Sequence, residues 1–484
     1  MLDKIRLFFA NIVDSIFSNK LMFMSAGKSK SSHDAAPVNN NITADQPIQY
    51  YLNDPTTPQL VKSVRPFTYD IKFQVKDYRG GGYSLNSTNG RAADVYVTIC
   101  NALNMVKSYT TIFSSWAGTS TLSVLPDAGK DFNAFYDRRS LQFFHGVDPV
   151  DRTTIYTCSS SDIVTHELGH AVLDAFRPET WSAPALEIWS FHEGFADFHA
   201  ILSIMQHEEV LNYMLTQTGG DLTRPNVTSN LAEAMGVAIY HLTKDPNRPR
   251  NCLRSAINDF RYVNPGTLPQ DAPDNQLAAE PHSFGRIILG AFYDVLNSIY
   301  RSLLTDGFSQ LQALIKARDL MGSYVFKTIK RAPMSVNFYE SISKTLLWVA
   351  WNNDNGKYYD QIRTILLNRN LITRDVRILA APQMDTNSDG IVSQGGLVCL
   401  KLSDHIIRAQ GQDSNPLYDA EVQVPQESAF FYDMQTGQAI DFIKVTDEET
   451  LAGLQDAIIY LHEAKKIGES FEVKNGKLER IQFS

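Results

Sequence analysis

Five residues, His166-Glu167-Leu168-Gly169-His170, carry the strongest chemical signal in the chain. They lie in a stretch, Ser161 to Ala175, whose pattern predicts a helix. Positions i and i+4 of a helix share a face, so His166 and His170 can aim ring nitrogens at one metal ion. Two imidazoles suit zinc. Glu167 falls about 100° round the helix from His166, beside such a metal but not necessarily on it. There it can take a proton from a coordinated water, which is the chemistry of amide-bond hydrolysis. The rival reading is a structural helix whose two histidines and glutamate are satisfied by ordinary hydrogen bonds, and only context separates the two.

A catalytic zinc needs a third protein ligand and one open position. The segment Ser190-Phe191-His192-Glu193-Gly194-Phe195-Ala196-Asp197-Phe198 offers one. It opens an apolar-periodic run through Ile201, Leu202 and Met205 that predicts a second helix. Glu193 and Asp197 share one face of it. Glu193 can ligate, and Asp197 can accept the other N–H of a ligand histidine and fix its tautomer. A solvated acidic face would explain two carboxylates but not the Phe, Gly and Ala around them. His192 is a rival ligand about 100° from Glu193. His199 reads as a packed or surface histidine.

H-E-x-x-H followed some twenty residues on by E-x-x-x-D resembles the pattern of the glutamate zincins, with the thermolysin-like metallopeptidases as the best-known branch. Three further stretches are similar to that family in the same order. They are Asn133-Ala134-Phe135-Tyr136, Leu253-Arg254-Ser255-Ala256-Ile257-Asn258-Asp259, and Pro281-His282-Ser283-Phe284-Gly285. The resemblance spans about Val61 to Asn370 in scattered motifs. It implies that His166, His170 and Glu193 hold zinc, with Glu167 as general base and then proton shuttle. It implies that Asp197 orients His166 and that Asp174 supports His170. His282 and Arg254 would stabilise the transition state, and Asn133 and Ala134 would hydrogen-bond a peptide laid down as an added strand. Without the resemblance, Arg254 would need a structural carboxylate partner such as Asp259, and His282 would read as a helix-capping or packed histidine.

The chain also departs from that pattern. The spacer from His170 to Glu193 is longer than in thermolysin, and Ala171 to His192 contains no tyrosine to help hold an oxyanion. Leu277 stands where an acid would orient His282, leaving Asp274, Asp271 or Glu280 for that role. The acidic cluster of the family's paired calcium site is not visible. Asp162 alone does not make a site, so calcium is not supported by a readable set of ligands.

The implied fold class is α+β: a two-lobed zincin with a β-rich N-terminal lobe, an all-α lobe, a cleft between them and a small α+β appendage. The expected divisions are 1–50, an amphipathic or disordered segment; 51–199, the β-rich lobe ending in the zinc helices; 200–372, the helical lobe; and 373–484, the appendage. Strands are expected over Val64–Tyr78 and within Gly118–Gly146, and a helix over Ala92–Tyr109. Helical runs follow at Ile201–Thr216, Asn230–Leu242, Ser283–Leu304, Leu311–Lys330, Tyr339–Trp351 and Tyr359–Arg369. In the appendage, hairpins are expected over Ser428–Val445 and over Phe471–Phe483, turning at Asn475-Gly476, with a capped helix at Thr446–Ala464 between them. Asp385-Thr386-Asn387-Ser388-Asp389-Gly390 resembles the start of a calcium loop, but Gly396 holds the twelfth position, so a plain turn is the better reading.

Composition narrows the partners. The chain has 484 residues, 43% hydrophobic, with a net charge of −9 and no basic block, which argues against nucleic-acid binding. No apolar run of about 18 residues is present, so no transmembrane helix is expected. Cys100, Cys158, Cys252 and Cys399 are widely spaced and form no C-x-x-C pair. The resemblance implies secretion. Yet Asn11 and Asp14 interrupt the apolar N-terminal stretch, where Ile5, Phe8, Phe9, Ile12, Ile16 and Phe17 instead fall on one helical face. The sequence thus reads as a zinc endopeptidase acting on protein or peptide substrates. A zinc aminopeptidase and a catalytically silent zincin-fold scaffold stand as alternatives. A glycine-rich acidic loop to anchor a free amine is not found, and a scaffold has no use for Glu167.

Overall fold

The structure is a computed structural model. It describes residues 46–372 apart from 66, 68, 70, 182–184, 333–336 and 355, together with the backbone of three strand pairs between 405 and 480. Chain contacts separate Met1–Ile42 from Thr43–Ser484. The first unit, with the expected amphipathic segment, lies outside the described residues, as do the helix at 446–464, the loop at 385–390 and Cys399.

The second unit is a mixed α+β structure, mainly helical with small sheets. Strands β1 (Ile48–Tyr51) and β2 (Val61–Val64) form an antiparallel pair. Strands β3 (Phe73–Val75), β4 (Leu122–Leu125), β5 (Ala134–Tyr136) and β6 (Ser140–Phe143) form one sheet in the order β3-β4-β6-β5. The β3–β4 and β4–β6 pairings are parallel, and β5 runs antiparallel at the edge. Helix α1 (Thr88–Tyr109), buried along most of its length, starts where Ser87 Oγ accepts the Gly90 N–H. Strands β7 (His145–Val147) and β8 (Thr154–Tyr156) form a ribbon that leads into α2 (Ser161–Phe176).

Helix α3 (Leu186–Ile204) is buried on nearly every side, with Phe191, Phe195 and Phe198 fully enclosed. A helix that is apolar all round belongs in a core, so the charges it carries must be matched inside the protein. It runs across the expected division at 199/200. The run expected at Ile201–Thr216 is broken: α3 stops at Ile204, and α4 (Glu208–Thr218) begins after a turn and ends at Gly219 with φ 65°. The pair β9 (Asn230–Leu231) and β10 (Arg254–Ser255) flanks α5 (Glu233–Thr243). Helices α6 (Pro281–Thr305), α7 (Gln310–Arg331), α8 (Phe338–Asn353) and α9 (Tyr359–Asn368) lie within a residue or two of the expected runs. Pro281 at the first position of α6 and the Ser309–Gln312 capping box of α7 fix those starts.

Between 405 and 480, three antiparallel pairs are described: β11 (His405–Arg408) with β12 (Glu421–Val424), β13 (Ala429–Asp433) with β14 (Gln438–Ile443), and β15 (Phe471–Lys474) with β16 (Lys477–Arg480). The last two are the expected hairpins.

Small residues bring α2, α3 and α6 together. A Cβ on Gly169 would lie 2.9 Å from Ala196 Cα, and one on Gly194 would lie 2.6 Å from the Gly285 carbonyl oxygen. A Cβ on Gly285 would meet the Ser190 carbonyl oxygen at 2.8 Å. These crossings set how far the side chains of the three helices must reach to meet.

Candidate metal centre

His166 and His170 project from α2, Glu193 from α3, and one ligand atom of each lies within 4.8 Å of the others. The two Nε2 atoms are 3.2 Å apart. Glu193 Oε2 stands 3.4 Å from His166 Nε2, and Oε1 stands 3.6 Å from His170 Nε2. A tetrahedral ion with bonds of roughly 2.0–2.2 Å separates its ligands by about 3.3–3.6 Å, so each histidine nitrogen stands about one ligand–ligand distance from a Glu193 oxygen, and the two nitrogens stand slightly closer. Glu193 Oε2 is buried and has no hydrogen-bond partner. A buried carboxylate oxygen and two imidazole nitrogens that converge on one point are what a cation would satisfy. The donor set fits zinc.

Asp197, one turn beyond Glu193, places Oδ1 2.8 Å from His166 Nδ1. That approach is bent from the hydrogen-bond line, so charge is the main coupling, and it favours a proton on Nδ1 and a bare Nε2. The same carboxylate accepts Arg254 through two bonds, Nη2 to Oδ1 at 2.7 Å and Nε to Oδ2 at 2.8 Å. Arg254 is therefore paired with Asp197, not with Asp259; β10 delivers it to α3 across 57 positions of sequence. Burial opposes ionisation of Asp197, but Arg254 and His166 hold its carboxyl down at about 2. Burial would likewise depress His166, yet Asp197 and Glu193 lift it to about 10. Burial takes His170 down to about 3. Glu193 stays well below the ordinary carboxylate range because His282, His170 and His166 outweigh its burial.

Glu167 is buried between the two histidines on α2. Burial pushes its carboxyl up to about 7, His166 opposes this, and Glu193 adds to it. His282, second residue of α6, brings Nε2 to 3.5 Å from Glu193 Oε2. Of the three acids open for orienting it, Glu280 does so: Oε1 is 2.5 Å from Nδ1, and the same carboxylate caps α6 through the His282 and Ser283 N–H groups. Against burial, Glu193 and Glu280 raise His282 to about 9. Asp274 instead pairs with Arg248.

Asp174 accepts hydrogen bonds from Tyr136 Oη at 2.9 Å and from Arg138 through both oxygens, which ties β5 to the C-terminal half of α2. His192 donates from Nε2 to Thr180 Oγ1 at 2.8 Å, because the Thr180 hydrogen goes to the Arg177 carbonyl. Its ring lies 5.8 Å from that of His170 and is not among the converging ligands. His199 is packed, with Nδ1 2.7 Å from the Thr165 carbonyl oxygen. Asn133 Oδ1 accepts the Ala134 N–H, and the Asn133 carbonyl accepts Thr157 Oγ1. Cys100, Cys158 and Cys252 are buried free thiols. Sequence reading missed Tyr136 and Arg138 as partners of Asp174. It missed the Arg254–Asp197 pair too, since nothing local marks contacts this remote.

No family model matches the chain, and no curated protein is significantly similar to it. Among solved structures, the chain is similar to the precursor of protealysin, a metalloproteinase from Serratia proteamaculans. Identity is 14% over 63% of this chain and 87% of that one, with a TM-score of 0.40. The functional reading below rests on the residues of this chain.

Proposed function

We propose that the protein is a zinc-dependent endopeptidase, with His166, His170 and Glu193 as ligands. One observation carries the reading: two histidine nitrogens and the Glu193 carboxylate converge within 4.8 Å, with His282 reaching the same carboxylate and Glu167 buried between the two histidines in the helix. Zinc held there would supply an activated water and polarise a scissile carbonyl. Glu167, poised near neutrality by burial, accepts the proton of the attacking water and hands it to the leaving amine. His282, kept protonated by Glu193 and Glu280, donates toward the oxygen on which negative charge develops. A donor so placed is commonly worth about 3 kcal/mol. Arg254, anchored by Asp197, is left to bind a substrate carbonyl with the guanidinium edge that Asp197 does not use. Strand β5 lies at a sheet edge, which suits a substrate added as a further strand beside Asn133 and Ala134. A cleft between a β-rich and a helical lobe, with the ligands at its floor, completes the reading.

The test is incubation of the zinc-loaded protein with an unfolded protein, with the cut sites mapped by mass spectrometry. Internal cuts are expected. Release of single N-terminal residues would favour an aminopeptidase, and no cleavage would contradict a general peptidase.

A further inference from the structure

Away from the metal centre, three carboxylates are buried together without a basic partner among the described residues. Asp54 follows β1, Asp162 lies in the first turn of α2, and Glu233 opens α5; they are 0%, 1% and 7% exposed. They draw three remote segments together. Ser160 Oγ is 2.5 Å from Asp54 Oδ2 and 2.5 Å from Asp162 Oδ1. A hydroxyl has one hydrogen and can donate to only one of two carboxylates. The other contact needs a proton on an acid.

The remaining bonds place that proton. Asp162 Oδ1 also accepts the Ile163 N–H at 2.8 Å, and Oδ2 accepts the Ala232 N–H at 2.5 Å. Both oxygens of Asp162 are thus acceptors, so the Ser160 hydrogen points to Asp162. Asp54 Oδ1 takes the Thr56 N–H at 2.9 Å, while Oδ2 has only a 3.4 Å share of the Ala234 N–H. The acid hydrogen of the Asp54–Asp162 pair lies along this Ser160 link.

Glu233 makes the same demand independently. Both its oxygens face Asn53 Nδ2, at 3.4 and 3.5 Å, and the Oδ1 of the same amide is buried with no donor. A protonated carboxyl satisfies a whole amide: its O–H donates to the amide oxygen while its carbonyl accepts the amide N–H. Tyr51, Asp94 on α1, Cys252 and Arg254 stand near the cluster. None can neutralise it, since Arg254 is held by Asp197 and the Cys252 thiol is pushed up to about 12 by burial and Glu233.

We propose that Asp54, Asp162 and Glu233 form a proton-held clasp, retaining two protons in the folded chain and fastening the start of α2 to the β9–β10 pair. One turn of α2 separates Asp162 from His166. Asp162 holds the Ala232 N–H, next to Leu231, which faces Arg254 in the strand register. The clasp therefore fixes both the helix that carries the two histidines and the strand that carries Arg254. It is independent of whether the chain cuts peptides. Burial and then the Asp54 carboxyl beside it push Asp162 up to about 6, so the Asp54–Asp162 pair keeps one proton between its members; burial and then Asp162 push Glu233 well above its ordinary value. Acids raised by folding hold the fold together with their protons on. Their contribution is complete below their unfolded values near 4 and fades as pH rises through about 6 and beyond.

The experiment compares the full chain with the double variant Asp54→Asn, Glu233→Gln, both metal-loaded, from about pH 5 to about pH 8. An amide in place of the Asp54 carboxyl can donate to Ser160 and still accept from Thr56, and an amide in place of the Glu233 carboxyl mimics the neutral acid. At about pH 5.5 the parent should release about two more protons on unfolding than the variant. The fall in Tm with rising pH should flatten in the variant. Asp162→Asn should lower Tm at every pH, because an amide hydrogen would face Ile163 N–H or Ala232 N–H. Infrared spectra of the parent should show protonated carboxyl bands that resist deuteration and that weaken in the double variant. Equal proton release by parent and double variant, or absence of those bands, would overturn the proposal. So would a calcium-dependent rise in Tm seen only in the parent, which would put a cation where the protons are placed.

Discussion

Asp197→Asn tests how the metal centre is held, because one carboxylate faces both His166 and Arg254. Both of its oxygens are committed, to Arg254 at 2.7 and 2.8 Å and to His166 at 2.8 Å. In the amide, one of those positions becomes an NH2 facing a cation. Holding the carboxyl at about 2 instead of 3.8 corresponds to about 2.5 kcal/mol of stability at neutral pH. Breaking a buried pair and stranding its cation typically costs about 3–5 kcal/mol, so a loss of about 3 kcal/mol is expected. His166 also loses the charge that orients it, which should weaken zinc binding by about 10–100-fold. Urea unfolding of the zinc-free proteins gives the first number, and competition with a chromophoric chelator gives the second. The sign with pH is fixed: a depressed carboxyl stabilises above its unfolded value and loses that contribution as pH falls through the folded one. The gap between parent and variant should therefore close as pH drops from about 4 toward about 2. Parent-like stability together with parent-like zinc affinity would refute the reasoning.

Three other perturbations have defined outcomes. Glu280→Gln removes the acid 2.5 Å from His282, so the alkaline limb of the cleavage profile should move down from about 9 by roughly one unit, read in a kcat–pH profile with zinc content unchanged. Gly194→Ala puts a Cβ 2.6 Å from the Gly285 carbonyl oxygen; separating α3 from α6 should cost about 1–3 kcal/mol in thermal unfolding and weaken zinc binding by moving Glu193. Asp174→Asn leaves Arg138 half-paired and should cost about 3 kcal/mol in urea unfolding, while zinc stoichiometry stays at one per chain.

What the sequence made legible was whatever a short helical period could carry. His166, His170 and Glu167 are fixed by one turn of α2, and Glu193 with Asp197 by one turn of α3. The long apolar runs of α6 to α9 were readable for the same reason. Contacts that cross the fold were not. Glu280 could not be told from Asp271 or Asp274, because the choice depends on the path of the loop before α6. A purely structural Arg254 calls for a carboxylate such as its neighbour Asp259, whereas a two-residue strand carries it to Asp197. Asp162 looked isolated, because Asp54 and Glu233 reach it from 108 residues upstream and 71 residues downstream. The close crossings at Gly169, Gly194 and Gly285 had no signal beyond the small residues themselves.

The most direct measurement is zinc content and peptide cleavage for the parent and Glu167→Gln, side by side. One zinc per chain in both proteins is predicted, with cleavage that chelators abolish in the parent and that falls by at least about 100-fold in the variant. Cleavage surviving in Glu167→Gln would contradict its role as the base, and absence of zinc from the parent would contradict the centre itself.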